Sequence, residues 1–444
     1  MKKTAITIGK SLQKIGDKMG RGSIMPGTVA LKVDPNLWKK ITLPKTIICV
    51  TGSSGKGSVT SMITDVLRNM GKTVIYNDKG SNLPEAILTS ILEKCSLNGK
   101  TKEDVLVCEI DERYTKYLFP IIHPNYVVIT NLTRDQPPRQ GHFDFVYNEI
   151  KKAITDDMHL ILNADDPYLY KFTFDHKGKV TYYGMKKNGY SYKKSLFQNL
   201  NLSYCPKCHT KLKYSYYQFE NIGNFKCPNC DFERKKPNYE ITKLDYLNCN
   251  CEINDTYQIH FPFGILYCAY NTLAAFTLLS ELNLDKEEIK NQISKLSKNK
   301  KIYDKYPFQG HDVYVLNNKN ENSSTFNQSL LFVKEHEEDK DIVIGWKEIS
   351  RRYSFDDLSW LYDIDFELLN EKNIHNIYCV GPNRYDIATR LKYAGINEKN
   401  ILIYQTLEEA TAKMKKNTKY NIYAILNFDY VEPFNKLMNA GDDE

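Results

Sequence analysis

The sequence predicts an α/β protein: a doubly wound, mostly parallel sheet interrupted by a four-cysteine ribbon, followed by a smaller α/β domain. Three observations predict it. Short β-branched apolar runs alternate with helical periodicities, as βαβ units require. One such run leads through a Gly/Ser-rich turn into a helix. Two C-x₂-C pairs stand 18 residues apart in a stretch without helical period. At 444 residues the chain is too long for a single ordinary core, so two or three domains are expected.

The opening residues show Ile6, Leu12, Ile15 and Met19 at roughly helical spacing, which predicts an amphipathic helix. It would either pack on the body or lie on a membrane surface. Thr46–Val50 reads as a buried parallel strand, and Val59, Met62, Ile63, Val66 and Leu67 as the apolar face of the helix that follows. Further strands are expected at Val105–Ile110, Tyr126–Ile129 and Leu160–Asn163, and helices at Asn271–Leu282 and Asp285–Leu296. Ser297–Lys301 is the linker candidate. Beyond it, strands at Asp341–Gly345, Ile377–Val380, Ile401–Tyr404 and Ile422–Leu426, with a helix at Tyr385–Ala394 ended by Gly395, form the second α/β unit. The expected division is 1–44, an N-terminal helix and connector; 45–300, a nucleotide-binding domain with the ribbon at 203–235; and 301–444, the C-terminal domain.

Composition narrows the function. Hydrophobic residues make up 41% and charged residues 26%, as in a folded globular protein. The net charge of +7, from 61 basic and 54 acidic residues, suits an anionic small substrate and carries no nucleic-acid signature. No run approaches a membrane span, and the start lacks the apolar core of a secretory signal, so a cytoplasmic location is expected. Eleven cysteines without an export signal argue against a disulfide framework.

The segment Thr51-Gly52-Ser53-Ser54-Gly55-Lys56-Gly57-Ser58 is built for phosphate. Small residues allow the backbone to curl against anionic oxygens, and the helix N-terminus offers free N–H groups and the positive end of its dipole. Lys56 would neutralise β/γ-phosphates, and Ser58 or a neighbouring hydroxyl would reach Mg²⁺. The general pattern G-x-x-x-x-G-K-[ST] is not met: Val50 occupies the first glycine position and Gly57 follows the lysine. Glu109, at the carboxyl end of its strand, offers a hard cation an oxygen. Cys205, Cys208, Cys227 and Cys230 supply four thiolates at the spacing of two knuckles, the tetrahedral set that a structural Zn²⁺ takes. Cys249 and Cys251 lack that spacing and read as hairpin or buried residues.

The phosphate segment resembles T-G-[TS]-[NS]-G-K of the Mur ligase superfamily, and its Gly55-Lys56-Gly57-Ser58 form resembles the folylpolyglutamate synthases of that superfamily. Other segments follow in the same order: Gly80-Ser81-Asn82-Leu83, Glu109-Ile110-Asp111-Glu112, Asn131-Leu132-Thr133-Arg134-Asp135-Gln136, Asn163-Ala164-Asp165-Asp166-Pro167, and Tyr270-Asn271 with Ala274-Ala275. The ribbon, together with Gly20-Arg21-Gly22-Ser23 and the stretch Pro26–Pro35, is similar to the MurT branch. The resemblance implies a Mur ligase central ATPase domain and a Rossmann-like C-terminal domain. It implies ATP on Gly52, Ser53, Ser54, Gly55, Lys56, Gly57, Ser58, Ser81, Asn82 and Asn271; Mg²⁺ on Ser58, Ser81 and Glu109; and structural Zn²⁺ on the four cysteines.

The same resemblance implies a catalytic role for Lys56, Glu109 and Asp357. Asp357 lies in Ser354–Asp363, similar to the segment D-x-S-W-[IL]-[YW]-D with which MurT proteins complete the catalytic triad of a GatD-type glutamine amidotransferase. Its alternative reading is a helix cap. The implied partner is such a glutaminase in a heterodimer. The implied substrate is lipid II at the cytoplasmic membrane face, amidated at its D-glutamate through an acyl phosphate. An amino-acid-adding ligase and a non-catalytic nucleotide-binding scaffold are the alternatives. Phe326-Asn327-Gln328 matches a further MurT segment expected to line the cleft. The chain departs from the family at Ile302–Tyr306, at Gly345–Ser354 and at Cys268, where many relatives carry asparagine.

Overall fold

The computed structural model describes residues 1–19, 22–79, 81–133, 143–198, 203–245, 248–297, 303–316, 322–347 and 358–439. Its first sheet contains nine strands. The first six are β1 (Thr46–Thr51), β2 (Val74–Tyr76), β3 (Val105–Glu109), β4 (Tyr126–Ile129), β5 (His159–Asn163) and β6 (Val180–Met185). The ribbon hairpin β7 (Lys213–Phe219) and β8 (Ile222–Lys226) forms a separate two-stranded sheet. The chain then returns to the first sheet as β9 (Tyr239–Asp245), β10 (Asn250–Ile253) and β11 (Tyr257–His260). The order is β11-β10-β9-β6-β5-β4-β1-β3-β2, parallel from β2 through β9 and antiparallel beyond.

Alternation along β1 explains why its run is apolar at nearly every position. Ile48 and Val50 pack with α3 (Lys56–Asn69) and α7 (Leu266–Glu281) on one face. Ile47 and Cys49 pack on the other with α4 (Pro84–Lys94), α5 (Thr115–Ile122) and α6 (Phe143–Lys151). A strand covered on both faces has no solvent side on which polar residues would be favoured. All five residues expected on the apolar face of α3 are buried. Helix α8 (Lys286–Ser297) completes the cover beside α7. The linker candidate after Ser297 lies outside the described residues.

The second sheet runs β12 (Tyr303–Phe308), β13 (His311–Leu316), β17 (Asn421–Leu426), β14 (Lys340–Gly345), β15 (Ile374–Val380) and β16 (Ile401–Tyr404). It is parallel apart from β12. Helices α9 (Ser323–Glu335) and α10 (Arg384–Tyr393) cover one face, and α11 (Leu407–Asn417) and α12 (Phe428–Asn439) the other. Gly395, at φ +84°, follows the end of α10 as its sequence predicts. Strands β2, β6, β9–β11, β12 and β13 have no counterpart among the strands that the sequence predicts.

The N-terminal helix α1 (Lys2–Lys18) packs on the body, against α2 (Met25–Val33) and α4, but of the expected stripe only Ile6 is buried. Its buried residues are Ala5, Ile6, Gly9, Gln13 and Gly16, whereas Ile15 and Met19 are exposed. Small residues bring the helices close, so the contact face carries little of the large apolar surface by which periodicity is recognised. Gly27 on α2 takes this furthest: its N–H donates to Thr89 Oγ1 at 2.9 Å, and a Cβ there would stand 2.0 Å from the Glu85 carbonyl oxygen of α4.

The ribbon also touches the C-terminal half. Glu220, at the β7–β8 turn, accepts from Asn327 Nδ2 at 2.9 Å and Ser324 Oγ at 3.3 Å, both on α9. Asn327 Oδ1 in turn accepts from the Asp365 N–H at 2.9 Å, and Asp365 Oδ1 accepts from the Gln198 N–H at 2.7 Å. Asn327 is therefore a buried junction residue rather than part of an open cleft wall. Burial pushes the Glu220 carboxyl up to about 7. Among the described residues no helix is long and apolar enough to cross a membrane.

Because the carbonyl facing Gly27 is backbone and cannot rotate away, Gly27→Ala is expected to destabilise the protein by about 1–3 kcal/mol. A denaturant titration monitored by circular dichroism measures it. An unchanged midpoint would contradict this account of the α2–α4 contact.

Candidate functional site

The parallel strands all end on one edge of the first sheet. The chain crosses from β1 past β3 to β2, then from β3 past β1 to β4, so β1 stands where the strand order reverses. In open α/β sheets the crevice at such a carboxyl edge is the ligand position. The loop from Thr51 to Gly55 lies there and enters α3 at Lys56. Gly55 is the residue before the helix at φ +82°, a conformation that costs an L side chain strain. A Cβ on Gly55 would also stand 2.6 Å from Asn271 Oδ1.

The neighbouring strand end holds the loop in shape. Ser53 N–H donates to the Asn131 carbonyl at 2.9 Å, and Ser54 N–H to Asn131 Oδ1 at 3.0 Å. Asn131 Nδ2 returns a bond to the Ser54 carbonyl at 3.1 Å, and Thr130 Oγ1 donates to the same carbonyl at 2.7 Å. Ser53 Oγ donates to the Thr133 carbonyl at 3.1 Å and accepts from the Thr133 N–H at 2.9 Å. Arg134, Asp135 and Gln136 lie outside the described residues. Asn131 and Thr130 were not among the residues singled out for binding. The signal was the segment Asn131–Gln136 itself, whose first residue positions the loop.

Lys56 folds back over this loop. Its ammonium donates to the Gly52 carbonyl and, at 3.2 Å, to that of Ser53, and pairs with Glu112 Oε2 at 3.2 Å. Glu112 is buried. Beside it, burial works against the Asp111 carboxylate, but Arg113 outweighs it, with Nε at 2.9 Å and Nη2 at 2.6 Å, and holds the carboxyl below its ordinary range.

Glu109 ends β3 with its carboxylate toward the first turn of α3: a Cβ on Gly57 would stand 3.1 Å from Glu109 Oε2. Asn77 holds the Glu109 backbone, its Oδ1 accepting the N–H and its Nδ2 donating to the carbonyl, both at 2.9 Å. The same Nδ2 donates to the Ser81 carbonyl at 2.9 Å, which ties Ser81 to the end of β3. The Asn82 carbonyl accepts from the Asp111 N–H at 3.0 Å, and Gly80 lies outside the described residues. Ser58 is exposed. Glu109 and the Ser81 segment are thus brought together with the loop. Asn271 on α7 abuts Gly55, and among the described residues its buried Nδ2 has no hydrogen-bond partner, a donor at the loop's edge with unmet capacity. These features fit a nucleotide triphosphate with its cation. Asp357 lies outside the described residues.

Segment Asn163–Pro167 follows β5. Asp166 Oδ1 accepts from the Tyr168 N–H at 2.9 Å, an Asx turn, and burial pushes its carboxyl up to about 7. Asp165 is fully buried and is joined by Arg234 Nε at 2.6 Å, Tyr270 Oη at 2.7 Å and the Met185 N–H at 2.7 Å.

In the ribbon, the four thiols of Cys205, Cys208, Cys227 and Cys230 lie within 4.8 Å of one another. Individual Sγ–Sγ distances are 3.6 Å (Cys205–Cys230), 3.5 Å (Cys208–Cys227) and 3.7 Å (Cys208–Cys230). Thiolates ~2.3 Å from a tetrahedral zinc stand ~3.8 Å apart, so the donor set fits that ion. Each knuckle is closed by its backbone: Cys205 N–H donates to the Thr210 carbonyl and Cys227 N–H to that of Phe232, both at 2.8 Å. Cys249 and Cys251 stand apart on the β10 hairpin.

Residues 50–230 match the family model of the Mur ligase middle domain, and residues 320–430 that of the MurT ligase C-terminal region. The chain is 30% identical over 444 residues to the lipid II isoglutaminyl synthase (glutamine-hydrolyzing) subunit MurT of Staphylococcus aureus (strain COL), covering 98% of this chain and 97% of that protein. The chain belongs to the MurT family of Mur ligases. It is 27% identical to the MurT subunit of Streptococcus pneumoniae over 97% of this chain and 95% of that protein. Among solved structures it is similar to a pseudomurein peptide ligase type C from Methanothermus fervidus, with a TM-score of 0.67, 20% identity, and coverage of 91% of this chain and 80% of that one. It is also similar to MurF from Acinetobacter baumannii, with a TM-score of 0.62, 14% identity, and coverage of 88% and 76%. These likenesses establish the Mur ligase fold for this MurT-family chain.

Cys227→Ser removes one thiolate from the cluster. The variant is expected to lose its zinc in metal analysis and at least ~2 kcal/mol of folding stability. Retention of stoichiometric zinc would contradict a four-thiolate site.

Proposed function

We propose that this protein is the ligase subunit of a two-component enzyme of peptidoglycan biosynthesis. It would amidate the α-carboxylate of the D-glutamyl residue of lipid II, using ATP and ammonia, to leave D-isoglutamine. The observation that carries the reading is the near full-length identity to MurT subunits, extending through the ribbon and the C-terminal region. The division into 1–44, 45–300 and 301–444 belongs to the same proposal, as does a cytoplasmic location.

A carboxylate is a poor electrophile, so the reaction requires activation. The backbone N–H groups at the α3 N-terminus, with Lys56, would bind the triphosphate and stabilise charge spreading onto the transferred phosphoryl group. Lys56 would exchange its contacts with the Gly52 and Ser53 carbonyls for phosphate oxygens, while Glu112 keeps the ammonium oriented. Glu109 and the hydroxyls of Ser81 and Ser58 would hold Mg²⁺, which supplies charge neutralisation. Asn271 would meet the nucleotide at the edge of the loop. Phosphoryl transfer to the D-glutamyl carboxylate gives an acyl phosphate. Ammonia from a GatD-like glutaminase then displaces phosphate, forming the amide C–N bond. Asp357 would orient the histidine of that glutaminase: a carboxylate beside an imidazole fixes its tautomer and stabilises its cation.

The test is mass spectrometry of lipid II after incubation with the two-subunit complex, ATP and glutamine. The expected product carries an amino group in place of a hydroxyl. Lys56→Ala should lower the rate by about 10²–10³-fold with either nitrogen source. Asp357→Asn should abolish glutamine-dependent amidation and preserve the ammonia-dependent reaction. Unchanged lipid II in the presence of an active glutaminase would remove the proposal.

A further inference from the structure

The ribbon is joined to the body through a buried polar chain that the zinc knuckles do not require. Arg234 lies four positions beyond Cys230, on the segment that closes the second knuckle, where its N–H donates to the Phe225 carbonyl at 3.0 Å. Its side chain leaves the ribbon. Nε donates to Asp165 Oδ1 at 2.6 Å, and Nη2 to the Met185 carbonyl at 3.2 Å and to Glu240 Oε1 at 2.9 Å. Asp165 Oδ2 accepts at the same time from Tyr270 Oη on α7 at 2.7 Å. The residue after Tyr270 is Asn271, whose carboxamide abuts Gly55 of the phosphate loop.

Two details show that this chain is built in. Gly184 leaves the room it occupies: a Cβ there would stand 2.7 Å from Asp165 Oδ1 and 2.9 Å from Arg234 Nη2. A second link runs beside it, with the Lys235 N–H donating to Tyr170 Oη at 2.8 Å and Tyr170 Oη to the Ala164 carbonyl at 3.0 Å. A fully buried carboxylate shared between a guanidinium and a phenol has little freedom to rearrange, because any departure leaves a buried charge unpaired. Arg234 of the ribbon and Tyr270 of α7 thus meet on one carboxylate, which the Met185 N–H also holds at 2.7 Å, so the ribbon bears directly on α7 at Tyr270.

We propose that the ribbon, through Arg234 and Asp165, positions helix α7 so that Asn271 stands correctly at the phosphate loop, making Arg234, Asp165 and Tyr270 positioning residues for nucleotide binding. This rests on the reading above that the loop and α7 receive ATP. The ribbon then acts on the first substrate of the reaction at a distance, as well as stabilising the fold. Removal of the link weakens ATP, whereas the turnover of bound ATP is left nearly intact, since Lys56, Glu109 and the loop bonds to Asn131 lie outside it.

The experiment is calorimetric titration of the full-length, zinc-loaded chain with MgATP, for the wild type, Arg234→Met, Arg234→Lys, Tyr270→Phe and the double variant Arg234→Met/Tyr270→Phe. Zinc content and melting temperature are measured on each. Arg234→Met is expected to weaken ATP by about tenfold with its zinc retained, Arg234→Lys by less, and the double variant no more than Arg234→Met alone, because both act through Asp165. In the two-subunit complex the same variants should raise KM for ATP and leave kcat within about twofold. Wild-type affinity in Tyr270→Phe and Arg234→Met, or effects that multiply in the double variant, would overturn the proposal. Should Arg234→Met fail to fold, Tyr270→Phe alone decides, since it removes a single hydroxyl. Should the wild type bind no ATP, the proposed function fails instead. Hydrogen exchange then tests the link directly: faster exchange over 266–281 in Tyr270→Phe supports it, and unchanged protection overturns it.

Discussion

The structure depends on a loop whose shape is set by its neighbours. Between β1 and α3 the backbone curls at the carboxyl edge of the sheet, and Asn131, Thr130 and Thr133 pin it from the adjoining strand end. Those bonds engage the N–H groups of Ser53 and Ser54 and the Ser54 carbonyl, while the N-terminus of α3 begins at Lys56 with Gly55 in the left-handed region. Preorganisation of this kind matters because phosphoryl transfer asks the protein for position and charge rather than for new covalent chemistry. The parallel sheet serves the loop in a specific sense. It sets β1 between β3 and β4, so that Glu109 and Asn131 arrive at the same edge from opposite sides.

The ribbon is joined to the rest of the structure at several places, among them the Gly223 N–H on the Asp165 carbonyl at 2.9 Å and Tyr216 Oη on that of Met185 at 3.1 Å. Its cysteines fold it locally, Arg234 ties it to Asp165 and α7, and Glu220 ties its hairpin turn to Asn327 and Ser324 of α9. A short insertion with a small apolar centre at Leu212, Phe225 and Phe232 thus spans from helix α7 to the C-terminal half. A metal is a suitable centre for such an element, because four thiolates on one ion give rigidity that so few residues cannot obtain from apolar burial.

Much of this was legible in the sequence, for identifiable reasons. Strands buried on both faces, such as Ile47–Val50, announce themselves as continuous apolar runs, and the cysteine spacing and the Gly/Ser loop carry their chemistry in the residue types. What escaped has a physical cause in each case. Helix α1 docks through Ala5, Gly9 and Gly16, so the large apolar residues Ile15 and Met19 misdirect a reading based on periodicity. Strands β9–β11 and the β12–β13 hairpin mix polar with apolar residues and so show no continuous apolar run, because they lie toward an edge of their sheets. Asp165 is flagged only by its segment's resemblance and Asn327 is expected at the cleft, but their roles come from partners distant in sequence: Arg234 and Tyr270 for Asp165, Glu220 for Asn327. Such partnerships have no local signature.

The central claim, that a nucleotide sits between the loop at Thr51–Ser58 and helix α7, is tested most directly by photolabelling the full-length chain with an azido-adenine analogue of ATP and mapping the modified peptides. The account predicts label on peptides from α7 or the segment that follows β1, competed away by ATP. Competable label confined to the six-stranded C-terminal sheet, with both of those segments unmodified, would contradict it.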